Sequence, residues 1–168
     1  MSSFSLKEME IRLTLSNGTF GPGNTKVITK LACEASIQKP GLPDFNKASI
    51  KIWGLRYNDM AKLTTLAFRP MENRNNRVAV FAGDASGLSQ VFTGEVTTAH
   101  AVYGNARDGV FVIKATTGSY PVQMAAGPVC VKGSAQVGDI IAQQAKTMGY
   151  AFKNEGVTGS LSNTNIDG

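Results

Sequence analysis

Few residues in this chain have the type and spacing that chemistry needs. His100 is the one histidine, so any Ser–His or Cys–His arrangement would have to be built on it. It lies in TTAHAVYG, an apparent strand, with alanine on both sides and no catalytic-serine motif anywhere in the chain. A structural or surface role is the simpler reading. Paired carboxylates could hydrolyse a glycosidic bond, and the candidates are Glu95 on a strand with Asp84 or Asp108 in turns. Turns favour aspartate for their own reasons, so both Asp residues are explained without catalysis. Cys33 and Cys130 are far apart in apolar strand contexts and have neither zinc-site nor CxxC spacing. They read as free buried thiols of a protein made in a reducing cytosol, with a disulfide left open. No calcium loop and no metal triad is present. FAGDASGLSQ has the small residues of an anion nest but neither a following helix nor a lysine, and reads as a hairpin loop. Trp53 could stack on a sugar, although a lone Trp more often sits in a core or interface. The sequence therefore predicts no catalytic residue, no cofactor site and no metal site, and a protein that builds rather than catalyses.

The elements that would position these residues are mostly strands. KEMEIRLTLSNG places Met9, Ile11, Leu13 and Leu15 on one side and Glu8, Glu10, Arg12 and Thr14 on the other, ending at an Asn-Gly turn. KVITKLACEASIQK reads as one extended run, with Val27, Thr29, Leu31, Cys33, Ala35 and Ile37 on a shared face. In KASIKIWGLRYNDMAKLTTL a strand becomes a helix: Ile50 and Ile52 oppose Lys51 and Trp53, and Gly54 marks a bend. Asn58 reads as the N-cap, Asp59 sits where the helix dipole favours an anion, and Met60, Leu63 and Leu66 form the apolar face. A helix of about two turns is not stable alone, so it is expected to plug one end of a barrel. NRVAVFAGD, VFTGEVTTAHAVYG (bending at Gly94) and VFVIKATTG follow at hairpin spacing, with NARDG as a turn. Residues 1–120 thus read as an antiparallel β-barrel with one short helix, of a mainly β class. Residues 121–168 read as the start of a smaller α+β module. It has a short strand in VCVKG, a helix capped by Ser134 and stopped at Gly149, and alternation in YAFKNEGVTGSL. That module cannot close a core by itself, so the natural protein is expected to continue past Gly168.

The whole chain has 168 residues, of which 17 % are charged, against roughly 25 % for an average soluble domain. A charge-poor surface suits contact with other protein. The net charge of +5 raises the question of nucleic acid, but the basic residues are scattered and not interleaved with aromatics. No apolar run approaches the length of a membrane span, and the N-terminus lacks the pattern of a secretory signal.

Three stretches together carry a resemblance: IQKPGLPDFNKASIKIWGLRYNDMAKLTTLAF, RVAVFAGDASGLSQVFTGEVTTAHAVYG and KGSAQVGDIIAQQAKTMGYAFKNEGVTGSLSN. The chain, from Lys7 to Asn163, resembles the baseplate hub proteins of contractile-tailed bacteriophages. Its most specific part is ASIKIWGL followed by the AGD, GL and VFTGEV segments. The resemblance implies a tail-tube-like barrel and a virion component of the tail baseplate, assembled in the cytoplasm of the host bacterium. It implies a homotrimer that joins the tail tube protein above to the spike protein below, beside other baseplate proteins. DNA would pass through the lumen without specific binding. Family members are longer, so a second barrel would be missing or incomplete here. Phe45, Trp53, Leu55 and Phe68 would be core or contact residues. One departure stands out, because a conduit that lets DNA slide is expected to be acidic and this chain is basic. Glu8, Glu10 or Glu95 would have to supply acid locally. The alternative readings are a monomeric barrel that binds nucleic acid or glycan, and a baseplate cell-wall hydrolase using Glu95 and Asp84.

Overall fold

The computed structural model describes residues 6–41, 44–64, 76–104, 109–119, 127–163 and 165–166. The chain divides into two compact units, Met1–Tyr120 and Pro121–Gly168. The first is a seven-stranded antiparallel sheet with one helix. Its strands are β1 (Glu8–Thr14), β2 (Thr25–Ile28), β3 (Cys33–Gln38), β4 (Lys47–Trp53), β5 (Arg77–Asp84), β6 (Gly87–Tyr103) and β7 (Gly109–Thr116), with α1 (Tyr57–Leu63) after β4. Their order is β2-β1-β5-β6-β7-β4-β3. The mainly β, antiparallel class read from the sequence is the observed one.

Strict alternation makes these strands and chooses their inner face. Ile11 and Leu13 of β1, Ile50 and Ile52 of β4, Val78 and Val80 of β5, and Phe111 and Ile113 of β7 are essentially without solvent contact. They belong to one buried cluster, although β1 and β4 stand four strands apart in the sheet order. A flat sheet could not bring them together, so the sheet curls around its own inner face. Each such side chain stabilises the fold by about 1.5–3 kcal/mol through burial. Two irregularities accompany the curl: the register shifts between Val80 and Phe81, and between Val96 and Thr98. A bulge of this kind bends a strand and sharpens its twist.

Among the described residues no ladder joins β2 to β3, so the barrel is not closed by strand pairing. The Trp53 N–H donates to the Ala32 carbonyl at 3.0 Å and extends the β3–β4 ladder by one pair. Helix α1, in turn, reaches β2. Lys26 of β2 stands 3.2 Å from the Asp59 carboxylate of α1. That oxygen is buried and has no aligned hydrogen-bond donor, so the contact is one of charge rather than a directed bond. Helix α1 sends Met60 and Leu63 into the core, as the sequence leads one to expect; Leu66 lies outside the described residues. Its N-cap is Arg56, without a side-chain cap, and not Asn58. Packing of Met60 and Leu63 fixes the start of so short a helix, and this outweighs capping preference.

The run from Lys26 to Lys39 is not one strand. It breaks into β2 and β3, which lie at opposite edges of the sheet, and Thr29–Ala32 carries the chain between them. The break resets the alternation: Ile28 is buried and Val27 is half exposed, the reverse of a continuous strand. At the other end of the barrel, Asn76 is buried before β5. Its Oδ1 accepts from the Ser16 N–H at 2.9 Å and the Ser16 hydroxyl at 3.2 Å. Its carbonyl accepts from Val96 N–H at 2.7 Å. One residue thus ties the turn after β1 to the middle of β6.

The second unit contains β8 (Val129–Cys130), β9 (Ser134–Gln136), α2 (Val137–Thr147), β10 (Ser160–Ser162) and β11 (Asn165–Ile166). β9 pairs with β10, and β8 with β11. Ser134 lies in β9 and does not cap α2, whose N-cap is Gln136. Gly149, with φ +77°, takes the left-handed turn that ends α2. The alternation in YAFKNEGVTGSL yields a strand only from Ser160 onward. Before it, the Asn154 side chain accepts from Gly156 N–H and Val157 N–H at 3.1 and 2.7 Å and holds a turn.

Candidate functional site

The residues that could have made an active site are not brought together. Glu95 stands opposite Arg77 in the strand register at one end of the β5–β6 hairpin, and Asp84 lies at the other. Asp84 is seven residues further along β5 than Arg77, which places it about 24 Å away at the rise of a strand. Carboxylates that share a glycosidic bond stand about 5–9.5 Å apart. Glu95 is buried, and its carboxylate accepts the Ser119 N–H at 3.0 Å. Asp84 closes the hairpin turn by accepting from Ser86 N–H at 3.0 Å, and pairs with Lys7 at 3.2 Å. FAGDASGLSQ is therefore a hairpin loop whose own carboxylate takes the free amide. Asp108 lies outside the described residues. His100 is exposed on β6, across from Val112. Among the described residues no group of three or more His, Cys, Asp or Glu side chains could hold a metal ion.

Both cysteines are free. Cys33 is half-buried against the core, and desolvation pushes its thiol pKa above the ordinary value. A thiol held neutral is a poor nucleophile. Cys130 corrects the expectation of burial: it is exposed, with its sulfur 3.1 Å from Asn165 Oδ1. β8 has only two residues, so it has no layer above it to bury the thiol.

What the first unit does present is two open strand edges. β3 is a terminal strand, and its inner-facing Cys33, Ala35 and Ile37 are only half-buried although they pack on the core. Among the described residues, the β2 ladder covers Ile11–Thr14 of β1 and does not reach Glu8–Glu10. Between these two edges lies a groove of about 600 Å³, walled by Leu6, Met9, Leu31, Cys33 and Leu88 with Glu8 and Lys30 at its rim. Leu6 and Leu88 are exposed there. The contact residues suggested by sequence fall in several classes. Leu55 is buried, Phe45 is exposed, and Trp53 is half-buried on the outer face opposite Val110. Phe68 lies outside the described residues. Of the acids expected near a conduit, Glu8 is exposed, Glu10 pairs with Arg12 at 2.6 Å, and Glu95 is buried. Sequence reasoning missed the groove, because it exists only once the chain breaks at Thr29–Ala32. That stretch, Thr-Lys-Leu-Ala, interrupts the polar–apolar alternation but has no Gly or Pro to announce a break.

No family model matches the chain, and no curated protein matches it in sequence. Among solved structures, the chain is similar to the 43 kDa tail protein of prophage MuSo2 from Shewanella oneidensis, with a TM-score of 0.53 and 13 % identity. The match covers 94 % of this chain and 44 % of the tail protein, so the chain spans less than half the length of the protein it matches. At that identity the likeness is one of fold.

Proposed function

We propose that this chain is a structural, non-enzymatic component of a phage tail, working as a ring-forming subunit of the baseplate hub between tail tube and spike. The observation that carries this reading is the fold shared with a prophage tail protein over nearly the whole chain. The open edges support it. A subunit that adds a strand beside β3 would cover Cys33, Ala35 and Ile37, and one that enters the groove beside β1 would reach the backbone of Glu8–Glu10 beyond the β2 ladder. The low charge content fits interfaces whose centres are depleted of charge. In this reading the strand-to-helix switch at Gly54 is a closing device: it swings α1 over the barrel end and leaves the β3 edge free for a neighbour.

Light scattering on the protein across a concentration series, alone and with tail-tube protein, tests the proposal. A trimer, or a ring formed on mixing, is the expected result. A monomer at every concentration that ignores tube protein would overturn it. Placing a proline at Ala35 sharpens the test, because the Trp53–Ala32 bond sets the even-numbered amides of β3 toward β4 and leaves the Ala35 N–H on the free edge. It should abolish assembly while leaving the circular dichroism of the monomer close to wild type.

A further inference from the structure

We infer that the outer face of β3, β4, β7 and β6 carries a site for phosphodiester groups, centred on Lys47 and Lys114, that contacts nucleic-acid backbone without reading sequence. The site is a property of the single chain and does not depend on ring assembly.

The argument begins from strand register. Ser36, Ser49 and Lys114 form one row across three strands, and Gln38, Lys47 and Thr116 form the next. Lys47 and Lys114 are therefore diagonal neighbours on one face, a separation of about 7–8 Å that long side chains readily span. Both are exposed. From that spacing of their backbones the two ammonium groups can converge on one anion. The other two lysines in the strands of this sheet have such an anion within the chain: Lys26 and Lys51 stand 3.2 and 3.1 Å from Asp59 and Glu34. Among the described residues Lys47 and Lys114 have none. The acid nearest in register is Glu95, opposite Thr116. It is buried and engaged by the Ser119 amide.

The six residues of these rows line a concavity of about 240 Å³ that contains no carboxylate and no aromatic ring. Ammonium, hydroxyl and carboxamide groups are the side chains that contact phosphate oxygens in nucleic-acid complexes. Without an aromatic there is no platform for a base, so contact is confined to the backbone. The lining offers no protruding apolar side chain, which argues against a lipid surface. The scattered basic residues of the sequence thus contain one organised pair, visible only in the register.

The test uses the full chain and fluorescein-labelled single-stranded and duplex DNA, followed by anisotropy from about 50 to about 200 mM salt. Binding should be weak, indifferent to sequence and steeply weakened by salt. The double substitution Lys47→Ala/Lys114→Ala should make the plot of log affinity against log salt shallower by about two and weaken low-salt binding about tenfold or more. Lys132→Ala/Lys153→Ala removes the same charge from the second unit and should leave the slope unchanged. An equal loss in both double variants would overturn the site, since net charge alone would then explain binding. So would the absence of any binding at low salt. Binding to vesicles containing phosphatidylglycerol but not to DNA would overturn it in favour of a lipid headgroup.

Discussion

The two units of this chain are held together by different means. In the first, the buried apolar cluster draws on β1, β2, β4, β5, β6, β7 and α1. In the second, Ile140 is the one buried apolar side chain among the described residues. Ile141, Met148, Tyr150 and Val157 are exposed there, and the unit is tied by turns such as Asn154 and by polar bonds such as Asn163 Oδ1 to the Gly133 amide at 3.0 Å. The first unit has a core that hydrophobic burial can maintain. The second has the hydrogen bonds of a fold without the apolar mass that makes such bonds persist.

Substitutions can break this comparison, and the largest effect belongs to the first unit. Phe111→Ala should cost about 3–5 kcal/mol, read as a large fall in the urea midpoint of the main transition. Gly94→Ala should follow. A Cβ there would stand 2.8 Å from the Phe92 ring and 3.0 Å from the Thr116 backbone, and overpacking of this kind costs about 1–3 kcal/mol. Replacing Asn76 with Ala removes both Ser16 bonds and should cost about 1–2 kcal/mol in the same assay. Ile140→Ala should leave the midpoint of that transition almost unchanged, and collapse the amide protection of α2 in hydrogen exchange. A shift of the main transition as large as that of Phe111→Ala would show the units to be one cooperative body. Smallest is a difference in reactivity. Iodoacetamide should modify Cys130 first. The rate at Cys33 should climb only as pH rises past the ordinary thiol range, because burial disfavours its thiolate. Mass spectrometry of peptides over a pH series reads both.

How far the sequence could be read depended on phase. Where alternation is strict and the strand lies inside the sheet, as in β1 and β4, the inner face could be named residue by residue. Ile50 and Ile52 against Lys51 and Trp53 is the clearest case. Where the chain resets its phase without a glycine or proline, as at Thr29–Ala32, only a stutter in the alternation marks the break, and the tertiary gain of reaching the far edge decides it. Caps were misread for a similar reason. Asn58 and Ser134 are good cap residues in isolation, but the burial of Met60 and Leu63 places α1, and pairing with Ser162 draws Ser134 into β9. The candidate surfaces were least legible. The groove needs two strand edges from separate parts of the chain, and the Lys47–Lys114 pair needs a register that no single stretch contains.

β6 has a mechanical consequence. It runs unbroken for 17 residues in the middle of the sheet, hydrogen-bonded to β5 along one part and to β7 along another. A covalent chain about 56 Å long therefore passes from one end of the barrel to the other and is clamped by different neighbours at its two ends. A pull along it loads the flanking bonds in shear, so that they must yield together instead of unzipping singly. The bulges let this strand curve without being cut. The barrel thus has a tendon, and force applied at one rim reaches the other along one continuous backbone.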